Sequence, residues 1–352
     1  MSEQAVAVAV APVSGDAEAR TPTGLAHLVA PAEELASAAA LFAAIDAVAE
    51  AEEEAGARRT EVLARLRETL ETGRARVRAA LLGRPFAGLR IARSYAHVMD
   101  VVVQGALHYA AEHLHAAPIR TTGEQLSVVA TGGYGRGEMA PFSDVDLLFL
   151  IPYKRTAWAE SVVESMLYLL WDLRLKVGQA VRSADDCLRY ASRDLTIRTA
   201  LLETRFIAGD RAPFEELETR LWDELFDKTG PEFVEAKLAE RDDRHDRQGG
   251  SRYLLEPNVK EGKGGLRDLQ TLHWVSKYLH RSETAWDLVA GGIYEEDEVR
   301  RFAEAAKFLW AVRCHLHDLA GRAQEHLTFD RQVEIAERMG YEDAGGRRAV
   351  EH

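Results

Sequence analysis

Two carboxylates, Asp144 and Asp146, stand one residue apart in the string Ser-Asp-Val-Asp-Leu-Leu-Phe-Leu at 143–150. In an extended backbone alternate side chains share a face, so both carboxylates point one way while Val145 and Leu147 point the other. Two like charges so placed repel unless a cation lies between them. An all-oxygen pair suits a hard divalent ion, magnesium first and manganese in its place. Upstream, Gly132 and Gly133 close a β-branched run, and residues 134–143 separate them from Asp144. A glycine pair at a strand end lets backbone N–H groups approach phosphate oxygens. Arg136 would add a cation for the phosphates and Ser143 a hydroxyl. A lone Asp-x-Asp on a strand is commonly structural; its combination with the glycine turn points to metal-assisted chemistry on a nucleoside triphosphate.

A second segment, 256–277, contains Lys260, Lys263, Gly264 and Gly265. Leu266, Leu269, Leu272, Val275 and Leu279 form an apolar stripe, which predicts a helix starting just after the glycines. Its free N–H groups, with Lys260 and Lys263 beside them, would make an anion site. The alternative is a tight turn that packs the helix on the core. The Walker A pattern is absent, because Leu266 and Arg267 follow the glycines. A third metal-binding carboxylate is left open: the segment 176–182 has Gly178 and Gln179 where an acid would be sought, and Asp194, Glu203 and Asp268 read as surface or capping charges. His315 and His317, like His113 and His115, are two apart on helical patterns and therefore point in different directions. The dipeptides His245-Asp246 and His317-Asp318 lack the separated H…HD…D set of a metal phosphohydrolase.

These residues need elements to position them. At 352 residues the chain can hold two or three compact units. Residues 1–30 are rich in Ala, Pro, Gly, Ser and Thr and read as a disordered tail. Strong helix formers fill 33–82, interrupted near Gly56. A further helical pattern covers 92–115, with Tyr95, Val98, Val102, Leu107 and Ala111 on one buried face. The texture then changes to strands at 126–130 and 145–151, a helix over 157–173, a third strand near 176–182, and helices from 185 to the end. The expected class is α+β, with a small mixed sheet at 121–210 between an N-terminal helical region (31–120) and a C-terminal helical domain (211–352). The last residues, 345–352, stop inside a continuing helical pattern, so the chain reads as a piece of something longer.

Composition excludes some functions. A formal net charge of −13, with Asp+Glu 57 against Lys+Arg 44, argues against nucleic acid as the main partner. Cys187 and Cys314 are too few and too far apart for a disulfide framework or a zinc site. No run of about 18 apolar residues exists to span a membrane, and a reducing cytoplasm is the expected location.

The glycine pair, the spacer and Ser143-Asp144-x-Asp146 resemble the nucleotidyltransferase fold shared by polymerase-beta-like enzymes. The longer string GGYGRGEMAPFSDVDLLFL, with EPNVKEGKGGLRDLQTLHWVSK at 256–277, is similar to the PII uridylyltransferase family, the bifunctional uridylyltransferases and uridylyl-removing enzymes of bacterial nitrogen sensing. The segments 94–100 and 327–341 have the same character, so the resemblance runs from about residue 60 to the end. It implies magnesium-dependent transfer of UMP from UTP to a tyrosine of the PII signal protein, with Asp144 and Asp146 holding the metal. It further implies that Gly132, Gly133, Arg136, Ser143, Lys260, Gly264 and Gly265 hold the nucleotide. Glutamine synthetase adenylyltransferases carry a similar K-x-G-x-G-G-x-R-D string, so a related enzyme using ATP is the nearest alternative. A polymerase-like enzyme acting on RNA and a non-catalytic regulatory module that kept the fold are the others. In the resembling family an H…HD…D domain and two glutamine-sensing ACT domains follow, so uridylyl removal and glutamine control are expected outside these residues.

Overall fold

The structure, a computed structural model, describes residues 27–117, 121–251 and 253–351. Three long helices come first: α1 (Ala38–Ala51), α2 (Ala55–Gly83) and α3 (Gly88–His108). The break between α1 and α2 falls at Glu52–Glu54, where the Glu54 carboxylate caps α2 by accepting from the amides of Gly56 and Ala57. The expected face of α3 is buried, but so are Val101, Val103 and Ala106 on its other sides. α3 is a central helix covered all round. Of the tail expected at 1–30, residues 1–26 lie outside the described residues. Residues 28–29 pack on α3: the Val29 amide donates to Ser94 Oγ (3.0 Å) and Arg90 donates to the Leu28 carbonyl.

The sheet follows, with β1 (Ser127–Ala130), β2 (Val145–Leu150), helix α4 (Ala157–Asp172), β3 (Val177–Arg182), helices α5 (Ala184–Ala191) and α6 (Leu195–Leu202), and β4 (Arg205–Gly209). The strand order is β3-β2-β1-β4. β1 runs antiparallel to both β2 and β4, and β2 pairs in parallel with β3. The small mixed sheet is thus as expected, with one correction: β4 lies where only helices were expected. Its few β-formers, Phe206 and Ile207, stand between helical segments, and antiparallel pairing with β1 decides their conformation.

Alternation divides the sheet between two cores. Val128, Ala130, Val145, Leu147 and Phe149 join the N-terminal helices in one cluster. Val129, Leu148 and Leu150 face a second cluster with α5, α6, α7 (Ala212–Arg220), Phe233 and Trp274. The N-terminal helices and one sheet face therefore share a core across the boundary expected at 121. The C-terminal part continues with α8 (Gly230–Arg247), α9 (Leu266–His280), α10 (Ala285–Ala290), α11 (Glu296–Ala320) and α12 (Phe329–Arg338). The helical pattern does not run to the end, because after α12 the chain makes a turn and a short 3₁₀ segment at Ala349–Glu351. The helix expected after Gly265 is present, but its buried face is Leu266, Gln270, Trp274 and Tyr278, while Leu279 is exposed. Cys187 and Cys314 are buried and unpaired. Among the described residues no helix is long and apolar enough to cross a membrane.

Candidate active site

Asp146 lies on β2 and Asp144 just before it, both exposed while Val145 and Leu147 are buried. The two carboxylates therefore share the sheet face of Leu148 and Leu150, at the end that the helices leave uncovered. The β1–β2 ladder extends one bond past the strand end, where the Thr131 amide donates to the Asp146 carbonyl (3.1 Å). That bond sets the glycine turn Gly132–Gly135 beside the aspartates. Gly132 has φ +58°, and a Cβ there would approach Asp146 Oδ2 to 3.9 Å. The leading amides of this turn have no intrahelical acceptor, and Gly132 and Gly133 line the cleft.

The turn is held from behind. Arg205 on β4 pairs with the buried Asp100 of α3 (2.7 Å) and donates to the carbonyls of Tyr134 (3.1 Å) and Gly135 (3.3 Å). The loop leading to Asp144 is anchored on α3 through the Met139 amide and the Ala92 carbonyl (3.2 Å). Ser143 Oγ accepts the Ala140 amide (2.9 Å), so that hydroxyl shapes this loop while also lining the cleft.

The cleft holds about 610 Å³, within the usual range for a small-molecule site. Its far wall comes from the C-terminal helices and is cationic: Lys237, Arg244, Lys260, Arg267 and Arg313 line it. Glu138, Glu203, Glu240, Glu261 and Glu325 also line the cleft, and each is ion-paired to Arg136, Lys237, Arg267 or Arg313. Asp144 and Asp146 alone among the cleft carboxylates have no ion pair among the described residues. Although the Asp146 side chain faces solvent, the protein atoms around it desolvate its carboxylate in part, and this, followed by the like charge of Asp144, raises its pKa, while Lys260 opposes the rise. Burial and the nearby Arg313 and Arg267 lower that of Lys260. Two oxygen donors held close, facing solvent and lacking a protein cation, fit a hard divalent ion. Glu203 Oε1, Arg244 Nε, Trp274 Nε1 and His317 Nδ1 are buried polar atoms without a hydrogen-bond partner among the described residues, and all four residues line this cleft. A polar ligand in the cleft would satisfy them.

Several expected roles change. Arg136 is buried between Glu138 (3.0 Å) and Glu203 (2.5 Å); burial works against its charge, and the two carboxylates outweigh it. Its cation is already neutralised, and Glu203, read as a surface or capping charge, is its buried counter-ion. The anion site at the start of α9 is closed. The amides of Leu266 and Arg267 donate to the carbonyls of Val259 and Lys260, and the Gly264 amide donates to Asp268. Gly264 and Gly265 make the tight turn, and of the second motif's expected binding residues only Lys260 reaches the cleft. Gly178 pairs in register with Asp146, and a Cβ on it would lie 2.3 Å from Asp146 Oδ1. The position where a third acid was sought is filled by the Asp146 carboxylate itself. Asp194 caps α6, as expected of it.

The family model described as GlnD PII-uridylyltransferase matches residues 232–352. The chain is 55% identical over 313 residues to the bifunctional uridylyltransferase/uridylyl-removing enzyme of Ruegeria pomeroyi, covering 89% of this chain and 34% of that protein. The same-named proteins of Cereibacter sphaeroides (59% over 268 residues, 76% of this chain and 29% of the relative) and Azospirillum brasilense (54% over 293 residues, 83% and 31%) agree. The chain belongs to the PII-uridylyltransferase family. It spans about a third of the length of the curated relatives it matches. A second family model, glutamate-ammonia ligase adenylyltransferase, matches residues 3–180, the half of the chain that carries Asp144 and Asp146.

Sequence reasoning missed Lys237, Arg244 and Arg313 of the cationic wall, and the Asp100–Arg205 pair behind the glycine turn. Charged residues on helices ordinarily face water, so nothing in their spacing marks them. The one available signal was Asp100 within an otherwise apolar helical face.

Proposed function

We propose that this region transfers UMP from UTP to a tyrosine hydroxyl of the PII nitrogen-regulatory protein, with magnesium held by Asp144 and Asp146 and release of pyrophosphate. The observation that carries the reading is the distribution of charge in the cleft: two aspartates without an ion pair among the described residues, and a C-terminal lining in which Lys237, Arg244, Lys260, Arg267 and Arg313 outnumber Glu240, Glu261 and Glu325. The names of the relatives support the uridylyl group and the PII acceptor.

In this reaction the phenolic oxygen forms a bond to the α-phosphorus as the bond from that phosphorus to the bridging oxygen breaks. Pyrophosphate leaves and the phenolic proton goes to solvent. Asp144 and Asp146 would hold the magnesium, which would supply Lewis-acid chemistry, and that matters for a phenol of pKa about 10. The chain's own contribution is placement and charge. Gly132 and Gly133 offer amides to phosphate oxygens, Lys260 and its neighbours neutralise the triphosphate, and Asp100 and Arg205 keep the glycine turn in place.

The deciding assay is incubation with PII and labelled UTP or ATP, with and without magnesium. Label on PII from UTP, dependent on magnesium and lost on Asp146→Asn, supports the proposal; the absence of label from either nucleotide overturns it. The adenylyltransferase match over 3–180 favours ATP as the second reading, and label from ATP alone would select it.

A further inference from the structure

At the far end of α3, away from the cleft, three side chains converge. Asp46 of α1 places Oδ1 2.6 Å from His108 Nε2 and 2.7 Å from His113 Nε2. The three potential ligand atoms all lie within 4.8 Å of one another. The local backbone explains how the histidines meet. Five residues apart on an α-helix, two side chains diverge by about 140°. Here α3 passes at His108 into a π-helical segment, Tyr109–Leu114, and its wider turn brings His113 round beside His108. The imidazoles are held in place: the Phe42 ring stacks on His108 at 4.5 Å and 13°, and the His113 ring lies against Tyr109 and edge-on to His108. Both histidine side chains are about four-fifths buried (21% exposed), while Asp46 is 44% exposed and reachable from solvent.

We infer that Asp46, His108 and His113 form a binding site for one divalent transition metal of the zinc class, distinct from the magnesium site at Asp144 and Asp146. Two imidazole nitrogens are borderline donors and, beside one hard carboxylate oxygen, select zinc, cobalt or nickel over magnesium. Three protein ligands leave the fourth tetrahedral position for water. With metal–ligand bonds of about 2.0–2.1 Å at tetrahedral angles the ligand atoms stand about 3.4 Å apart. The two carboxylate–imidazole distances, 2.6 and 2.7 Å, therefore lengthen by less than about 1 Å, which rotation of the half-exposed Asp46 side chain supplies. Binding also selects the imidazole tautomers whose Nε2 lone pairs face the ion. The metal would staple α1 to α3, the helix that carries Asp100 two turns upstream, about 12 Å away along its axis.

The test uses the whole chain stripped with EDTA and titrated with zinc chloride in a calorimeter, with cobalt(II) chloride as the optical probe. One equivalent of zinc should bind the wild type and the Asp144→Asn/Asp146→Asn variant alike, cobalt should develop tetrahedral visible bands, and zinc should raise the melting temperature. Loss of an outer-shell partner already weakens metal sites by about 10–100-fold. Asp46→Asn, His108→Gln and His113→Gln should each weaken binding by at least about 100-fold, with folding checked by circular dichroism. Histidine Cε1–H resonances in the wild type give a readout that needs no variant, since two of them should move with the first equivalent. No zinc binding by the wild type, octahedral cobalt spectra, or undiminished binding in the three ligand variants would overturn the site and leave a hydrogen-bonded cluster only.

Discussion

Gly178→Ala puts the geometry of the candidate active site to its sharpest test. An ideal Cβ at this position falls 2.3 Å from Asp146 Oδ1 and 3.5 Å from its Cγ. Ordinary contact begins near 3.4 Å, so Oδ1 must retreat by about 1.1 Å. A misplacement of about 1 Å at a reacting centre lowers turnover by about 100-fold, or about 2.7 kcal/mol at 1.36 kcal/mol per tenfold. Stability should barely change. The backbone of Gly178 is not left-handed, so alanine suits the strand and contributes about 0.5–1 kcal/mol. That offsets most of the lower end of the overpacking range, about 1–3 kcal/mol, and Asp146 is free to swing toward solvent. The assays are transfer of labelled UMP to PII and manganese affinity by electron paramagnetic resonance, each beside a thermal melt. Turnover and manganese affinity close to wild type would refute the claim that Asp146 needs the space above Gly178. A loss of activity that merely tracked a large drop in melting temperature would refute it too.

Asp144→Asn or Asp146→Asn should abolish transfer with the fold intact. Because partial desolvation and the like charge of Asp144 raise the Asp146 pKa, its ionised form opposes folding modestly above that pKa, and the penalty vanishes as the carboxyl protonates. Asp146→Asn should therefore melt higher than wild type at neutral pH in EDTA, and the gap should close as the pH falls into the carboxylate range. Arg136→Met should lower stability by about 3–5 kcal/mol in urea titrations, because it strands Glu203 and Glu138 without their buried cation. A variant of full stability with only weakened UTP binding would return Arg136 to a phosphate role. Lys260→Ala should weaken UTP binding by about 1.5–3 kcal/mol in calorimetry, the worth of one charged hydrogen bond. Gly264→Ala should leave UTP binding unchanged while the left-handed backbone, φ +83°, lowers stability by about 1–2 kcal/mol.

Local chemistry alone determined the aspartate half of the candidate site. Alternation on a strand puts Asp144 and Asp146 on one face whatever surrounds them, and a glycine pair at a strand end makes an amide turn, so the residues between 130 and 150 announced their arrangement. The helix after Gly265 was legible for the same reason, since its start is written in neighbouring residues. Its buried face was not, because Gln270 and Trp274 face inward only where the cleft and the second core meet them. β4 escaped because a five-residue strand acquires its conformation from its partner, β1. Arg136 and Glu203 are 67 residues apart, and a charge that looks free in sequence is spoken for once such a partner arrives. His108 and His113 came together only through a π-turn that no spacing rule anticipates. Short-range periodicity settles which way a side chain points relative to its neighbours; burial and long-range pairing, which exist only in the folded chain, settle which charges are already matched and which remain for a ligand.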